Sequence, residues 1–334
     1  MAPRAILVIG PRWVGDMVMA QCLFAALKAR EPEAAIDVVA PSWATPLLDR
    51  MPEVRRRIDA PFRPKEFGLG ARWRLGRELA GRYDAAYVLP GSWKSALVPF
   101  FARVPIRIGY AKEMRYGLLT RMPALPKALK RKTADTYFRL AEVDGPRPDP
   151  KLTVDVANRD RLLAAHGLAV GGYVAFMPGA EYGPAKRWPS RHYAALAVER
   201  MAAGDRVILL GSPKDAEVGA EIVALAPGVI DLTGQTRLED AIDLLSAARL
   251  AVCNDSGLMH VAAAVGTPVV AVYGSTSAEN TPPLSPRAEI VTLGLSCSPC
   301  HEKVCPLGHL DCLEKLEPGL VAAAAARVTG KAGE

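Results

Sequence analysis

Short apolar runs that do not alternate with polar residues recur along this chain, each closed by a turn and followed by a helical pattern. In the first half they are Ala5 to Ile9, Ile36 to Ala40 and Ala85 to Leu89. In the second half they are Tyr173 to Met177, Arg206 to Leu210, Val229 to Leu232, Leu250 to Cys253, Val269 to Tyr273 and Glu289 to Leu293. Runs of this kind fit strands covered on both faces, which predicts parallel sheets with right-handed helical crossovers. Val14, Val18, Cys22, Ala25 and Ala26 recur at helical spacing and predict a helix from Gly15 to Arg30, and Pro90-Gly91-Ser92 reads as a turn capping another that ends at Phe101. Further helices are expected at Ser190 to Ala203, Asp215 to Ala226, Leu238 to Ala247 and Gly257 to Val265. A chain of 334 residues exceeds one ordinary core. Pro146, Pro148 and Pro150 forbid a helix and mark the junction, giving domains 1–155 and 156–334, the second opening with a helix capped by Asn158 and ended by Gly167. The expected class is α/β, with two Rossmann-like doubly wound domains facing a central cleft.

Two strand-to-helix junctions carry the chemistry. In Asn254-Asp255-Ser256-Gly257-Leu258-Met259-His260 a buried strand ends in a turn that opens a helix, and the leading N–H groups of that helix form an anion site at the carboxyl edge of the sheet. Ser256 and His260 are expected on one helical face. In Gly10-Pro11-Arg12-Trp13-Val14-Gly15-Asp16 a carboxylate stands at a helix start, which favours its ionised form by about 0.3 to 1 kcal/mol. For each junction the bland reading is an ordinary helix cap. A third segment, Pro178-Gly179-Ala180-Glu181-Tyr182-Gly183-Pro184-Ala185-Lys186-Arg187-Trp188, joins glycines, a Lys-Arg pair and aromatics, with Ser190 as the next N-cap. Such a loop can cover a diphosphate, although Gly-Lys-[Ser/Thr] of a Walker loop is absent. Neither Gly-x-Gly-x-x-Gly nor Asp-x-Asp occurs, so a dinucleotide redox cofactor and a carboxylate-bound divalent metal lose support. Gly-x-Ser-x-Gly is missing too, which disfavours a hydrolase built on Ser256.

Charge is divided unevenly. Up to Pro150 there are 26 Lys and Arg against 15 Asp and Glu, a net of +11; beyond it there are 16 against 20, a net of −4. The excess gathers at Arg55-Arg56-Arg57, Arg63 to Arg82 and Lys127 to Lys132. It suits an anionic membrane surface, an anionic polymer or a phosphorylated acceptor, against the alternative of a solvated basic face. The apolar runs fall short of a membrane span and no leader precedes the first strand, so the expected location is the cytoplasm. Cys297, Cys300, Cys305 and Cys312 lie close together with His301 and His309 among them. Their spacing is not that of a standard zinc ribbon, and a structural zinc site, reduced free thiols and a redox role all stay open. Cys22 and Cys253 read as core residues.

The stretches Gly10 to Met19, Met51 to Val54, Pro178 to Pro189 and Asn254 to Ala264, in this order, resemble the ADP-heptose:lipopolysaccharide heptosyltransferases II of glycosyltransferase family 9. The resemblance runs from about Ile6 to Pro318. It implies a GT-B fold, an acceptor-binding first domain and a nucleotide-sugar-binding second one. It further implies an inverting, metal-independent transfer without a cofactor, from ADP-heptose to heptosyl-Kdo-lipid A, with no part for nucleic acid. Carried over by motif, Asp16 is the general base, with Gly15 and Arg12 on the acceptor side. Lys186, Ser256, Gly257 and Gly179 would meet the ADP, Asp255 and His260 the sugar and phosphates, and Lys214 and Asp215 the ribose. The basic first domain fits a phosphorylated acceptor at the inner face of the inner membrane, which implies peripheral contact there. Transfer to another acceptor position, or a nucleotide-sugar epimerase of the same two-domain architecture, are the alternatives.

Overall fold

The computed structural model describes residues 4–62 and 66–330, so Arg63 of the basic run lies outside the described residues. The chain divides into two units, Met1–Pro150 and Lys151–Glu334. The division falls a few residues ahead of position 155, because the N–H of Leu152 already donates to the carbonyl of Ala264 at 3.0 Å.

In the first unit, β1 (Ala5–Ile9), β2 (Ala35–Ala40), β3 (Val54–Asp59), β4 (Ala85–Val88) and β5 (Ile106–Ile108) form a parallel sheet in the order β3-β2-β1-β4-β5. The apolar runs of β1, β2 and β4 are strands because both their faces are covered. β3 and β5 were hidden in the sequence because they are edge strands with exposed positions, and β3 contains Arg55-Arg56-Arg57. Part of that basic run is structural. The guanidinium of Arg55 donates to both carboxylate oxygens of buried Asp37, at 2.8 and 2.7 Å, and Tyr83 Oη–H donates to Asp37 Oδ2 at 2.7 Å. The helix Val14–Arg30 is buried on nearly every side rather than along one stripe, with Met17 through Phe24 all inaccessible. The unexpected helix Thr133–Phe138 packs against it.

The second unit holds β6 (Tyr173–Met177), β7 (Arg206–Leu209), β8 (Ile230–Asp231), β9 (Leu250–Asn254), β10 (Val269–Val272) and β11 (Ala288–Val291). They form a parallel sheet in the order β11-β10-β9-β6-β7-β8. Phe176, Trp188, Tyr193, Val252 and Leu316 belong to its core, which the helix Pro318–Gly330 helps to close. Two caps differ from expectation. Asp155, not Asn158, caps the helix Val156–His166, its side chain accepting from the Asn158 N–H at 3.1 Å. The Asn158 amide instead donates to Asp240 and Asp243, at 3.1 and 2.8 Å, while Gly167 does end the helix at φ 60°. Ser190 is the first helical residue of Ser190–Ala202, after Pro189, and its hydroxyl donates to Glu221 at 2.6 Å.

Each sheet has one point where neighbouring strands send their connections to opposite sides: between β1 and β4 in the first, between β6 and β9 in the second. Ligands of doubly wound sheets bind outside the carboxyl ends at such points. All three sequence segments singled out above leave the sheets there.

Candidate active site

In the first unit, β1 ends at Ile9 and the helix begins at Val14 after an extended Trp13, so Asp16 is the third helical residue rather than the cap. Its carboxylate lies in the first turn, where the helix dipole favours negative charge. Gly15 beside it is buried, Asp16 is half-buried, and Arg12 and Trp13 are exposed. Burial, reinforced by the charge of Asp16, pushes the Tyr137 phenol well above its ordinary range. Gly10, at the end of β1, is closely packed: a Cβ there would stand 2.8 Å from Met17 Cε, so the tip of that methionine would have to shift.

In the second unit three loops meet. Asn254, fully buried at the end of β9, staples them: its Oδ1 accepts from the N–H of Trp188 at 3.0 Å and from Tyr193 Oη at 3.1 Å, and its Nδ2 donates to the Pro178 carbonyl at 2.7 Å. The next residue, Asp255, is 6% exposed. Its Oδ2 accepts from Lys186 Nζ at 2.5 Å and from Thr276 Oγ1 at 2.6 Å. Lys186 Nζ also lies 4.9 Å from the centre of the Tyr182 ring. Ser256 is the extended N-cap of the helix Gly257–Ala264, and no side chain among the described residues caps that helix. Its leading N–H groups, beginning at Gly257, are therefore open to an anion. His260, four residues on from the half-buried Ser256, is itself buried, and its Nδ1 has no hydrogen-bond partner among the described residues. Burial pushes its pKa down to about 4, with Asp255 opposing the shift and Lys186 adding to it, so the imidazole is neutral at neutral pH.

Asp215 and Gly179 also come together. A Cβ on Gly179 would stand 2.4 Å from Asp215 Cγ, so glycine is required for the carboxylate to seat there. Asp215 is a helix-capping residue, its Oδ2 accepting from the N–H and the hydroxyl of Ser212 at 2.9 and 2.7 Å. Lys214 is exposed and pairs with Glu181 at 2.6 Å.

The cysteine-rich segment frames the Lys186 loop. The carbonyl of Lys303 accepts from the Ala185 N–H at 3.1 Å and would stand 2.5 Å from a Cβ on Gly183, and that of His301 accepts from Tyr182 Oη at 2.6 Å. Backbone N–H groups, that of Leu310 foremost, hold the Cys305 thiol below its ordinary range. Burial, then the neighbouring thiols of Cys297, Cys300 and Cys305, push Cys312 up. Among the described residues no group of three or more His, Cys, Asp and Glu is set to hold a metal. Cys22 and Cys253 are core residues, as expected.

Thr276, Asn254 and Tyr182 were not singled out as site residues from the sequence. Asn254 and Tyr182 stood inside segments singled out above, whereas Thr276 lay outside them, in the small polar run Gly274-Ser275-Thr276-Ser277 after an apolar strand.

Two switch-point sites on two doubly wound sheets are the arrangement of GT-B glycosyltransferases, and the comparisons agree. The solved structure of E. coli ADP-heptose lps heptosyltransferase II matches with a TM-score of 0.87 and 41% identity, covering 98% of this chain and 99% of that one. Residues 72–311 match the model of glycosyltransferase family 9 (heptosyltransferase). The lipopolysaccharide heptosyltransferase 2 of Salmonella typhimurium is 47% identical over 305 residues, 86% of this chain and 88% of its own length. That of Escherichia coli K12 is 46% identical over the same shares. The chain belongs to glycosyltransferase family 9 and is a heptosyltransferase.

Proposed function

We propose that this enzyme transfers L-glycero-D-manno-heptose from ADP-heptose to the first heptose of the lipopolysaccharide inner core, with inversion at the anomeric carbon. The acceptor hydroxyl oxygen attacks that carbon, a new C–O bond forms, the bond to the ADP oxygen breaks, and the hydroxyl proton passes to Asp16. A base in the first turn of a helix is held ionised, the state it needs in order to accept a proton. The departing ADP gains negative charge, and fixed positive groups aimed at that charge lower the barrier. Lys186 and the N–H groups at Ser256 and Gly257 are those groups. Asp255 and His260 orient the donor, and a neutral His260 can donate to or accept from a sugar hydroxyl without adding charge. Gly15 and Arg12 line the acceptor side, Gly179 and Asp215 shape the nucleotide side, and Lys214 reaches the ribose. With Lys186 and helix dipoles supplying positive charge, and no Asp-x-Asp to hold a cation, the transfer is metal-independent.

The observation that carries this reading is the cluster of Lys186, Asp255 and Thr276 beside an uncapped helix start, in a chain 47% identical to a lipopolysaccharide heptosyltransferase 2. The basic first unit is proposed to rest on the anionic inner face of the inner membrane, where the acceptor is anchored. No helix among the described residues is long and apolar enough to cross a membrane. The test is transfer from ADP-heptose to lipopolysaccharide acceptors bearing zero, one or two heptoses. Extension of the one-heptose acceptor alone is expected; equal extension of the heptose-free acceptor, or conversion of ADP-heptose with no acceptor present, contradicts the assignment.

A further inference from the structure

Asp255 is a buried carboxylate whose Oδ2 accepts from two side chains on different loops: Lys186 from the β6 loop and Thr276 from the turn after β10. A diphosphate that attracts Lys186 must compete with this pair, and a buried carboxylate that loses its paired cation is costly. We infer that Thr276 is a positioning residue for the donor: its hydroxyl holds Asp255 in place, so that Lys186 can pass from Asp255 to the diphosphate.

The surroundings support a fixed role for this hydroxyl. Thr276 follows Ser275, which is 1% exposed and whose backbone carbonyl accepts from the N–H of His301 at 2.6 Å. Ser298 Oγ–H donates to the Gly274 carbonyl at 2.6 Å, so the cysteine-rich segment pins the turn at two consecutive carbonyls. β10 lies next to β9 in register, Val272 opposite Asn254, which sets the residues after each strand side by side. Thr276 thus reaches Asp255 from a backbone held at its two preceding carbonyls, whereas Lys186 reaches it through a long flexible stem. Of the two donors, the lysine is the one built to move.

This inference rests on Lys186 and Asp255 forming the donor site, and the experiment separates the two. ADP binding by calorimetry and steady-state kinetics with varied ADP-heptose are measured for the full-length enzyme and for Lys186→Ala, Thr276→Val and Thr276→Ser. Lys186→Ala is expected to weaken ADP binding; unchanged affinity there overturns the donor site itself. Thr276→Val is expected to raise Kd for ADP and KM for the donor about tenfold, in proportion to one hydrogen bond to a charged group, with KM for the acceptor unchanged. Thr276→Ser is expected to restore donor binding to within about twofold of the starting enzyme. If Lys186→Ala weakens ADP while Thr276→Val leaves it unchanged, or if Thr276→Ser is as impaired as Thr276→Val, the positioning role is wrong. Should Thr276→Val fail to fold, Thr276→Ala is read the same way.

Discussion

At the carboxyl end of β1 the half-buried carboxylate of Asp16 stands in the first turn of a helix, whereas at the ends of β6, β9 and β10 the buried Asp255 accepts short hydrogen bonds from Lys186 and Thr276, and Asn254 beside it ties the β6 loop to the end of β9. The sheets are of one kind; the sites on them are built differently. A base must be reachable by the proton it takes, while groups that stabilise leaving-group charge work best when already fixed in place. The surfaces differ too. The first unit is the basic one and exposes Trp13, Trp43, Trp73 and Trp93, while the remaining tryptophan of the chain, Trp188, is buried in the second unit. Aromatic rings beside Arg and Lys suit a lipid headgroup region; an acidic unit proposed to bind ADP has to rely on local donors instead.

The largest expected effect that sharpens this contrast is a pH effect on the second unit. All five histidines of the chain lie there. Because the pKa of His260 is pushed down to about 4 from 6.5, the unfolded chain binds more protons than the folded one between those values. Stability from this group is therefore present above pH 6.5 and is lost as pH falls toward 4, by on the order of 3 kcal/mol. Urea unfolding of the enzyme and of His260→Gln across this range should show the variant with the flatter pH dependence; parallel curves would remove His260 from the account. Next, Lys186→Ala should weaken ADP binding about 10- to 100-fold, as expected for hydrogen bonds to a charged group, while a substitution at Asp16 does not. The smallest effect belongs to the basic surface. Arg77 and Arg103 border a cavity of about 450 Å³ with Trp73 and Phe100. Reversing either arginine to Glu should weaken sedimentation with anionic vesicles by about 1 kcal/mol or somewhat more, and leave transfer to a delipidated acceptor unchanged. Equal binding of the charge-reversed protein would place the membrane contact elsewhere.

The covered strands were legible because burial on both faces leaves an apolar run that periodicity can read. β3 was not, since an edge strand with Arg55, Arg56 and Arg57 looks like a charged loop. The helix Val14–Arg30 was found, but its burial on nearly every side was not, because that depends on a distant segment, Thr133–Phe138, folding over it. Of the candidate site residues, Asp16, Lys186 and Asp255 were visible as charged residues beside turns. Thr276 was not, since a threonine after a strand carries no sign of the carboxylate it will reach. Asp215 was read as a neighbour of the ribose; that its carboxylate also accepts from the Ser212 N–H and hydroxyl and lies against Gly179 was not legible, because it depends on two loops meeting. Asn158 shows the same limit: cap chemistry is local, and Asp155, three positions away, provides it, while the helix at Ser190 starts from Pro189 without a side-chain cap.

The division of labour between the units is tested most directly at Asp16. In Asp16→Ala, the heptosyl transfer rate and the ADP dissociation constant are measured on the same preparation. The account predicts a rate reduced by about 10² or more with ADP affinity unchanged to within about twofold. Retained transfer, or a loss of ADP affinity in step with the rate, would contradict it.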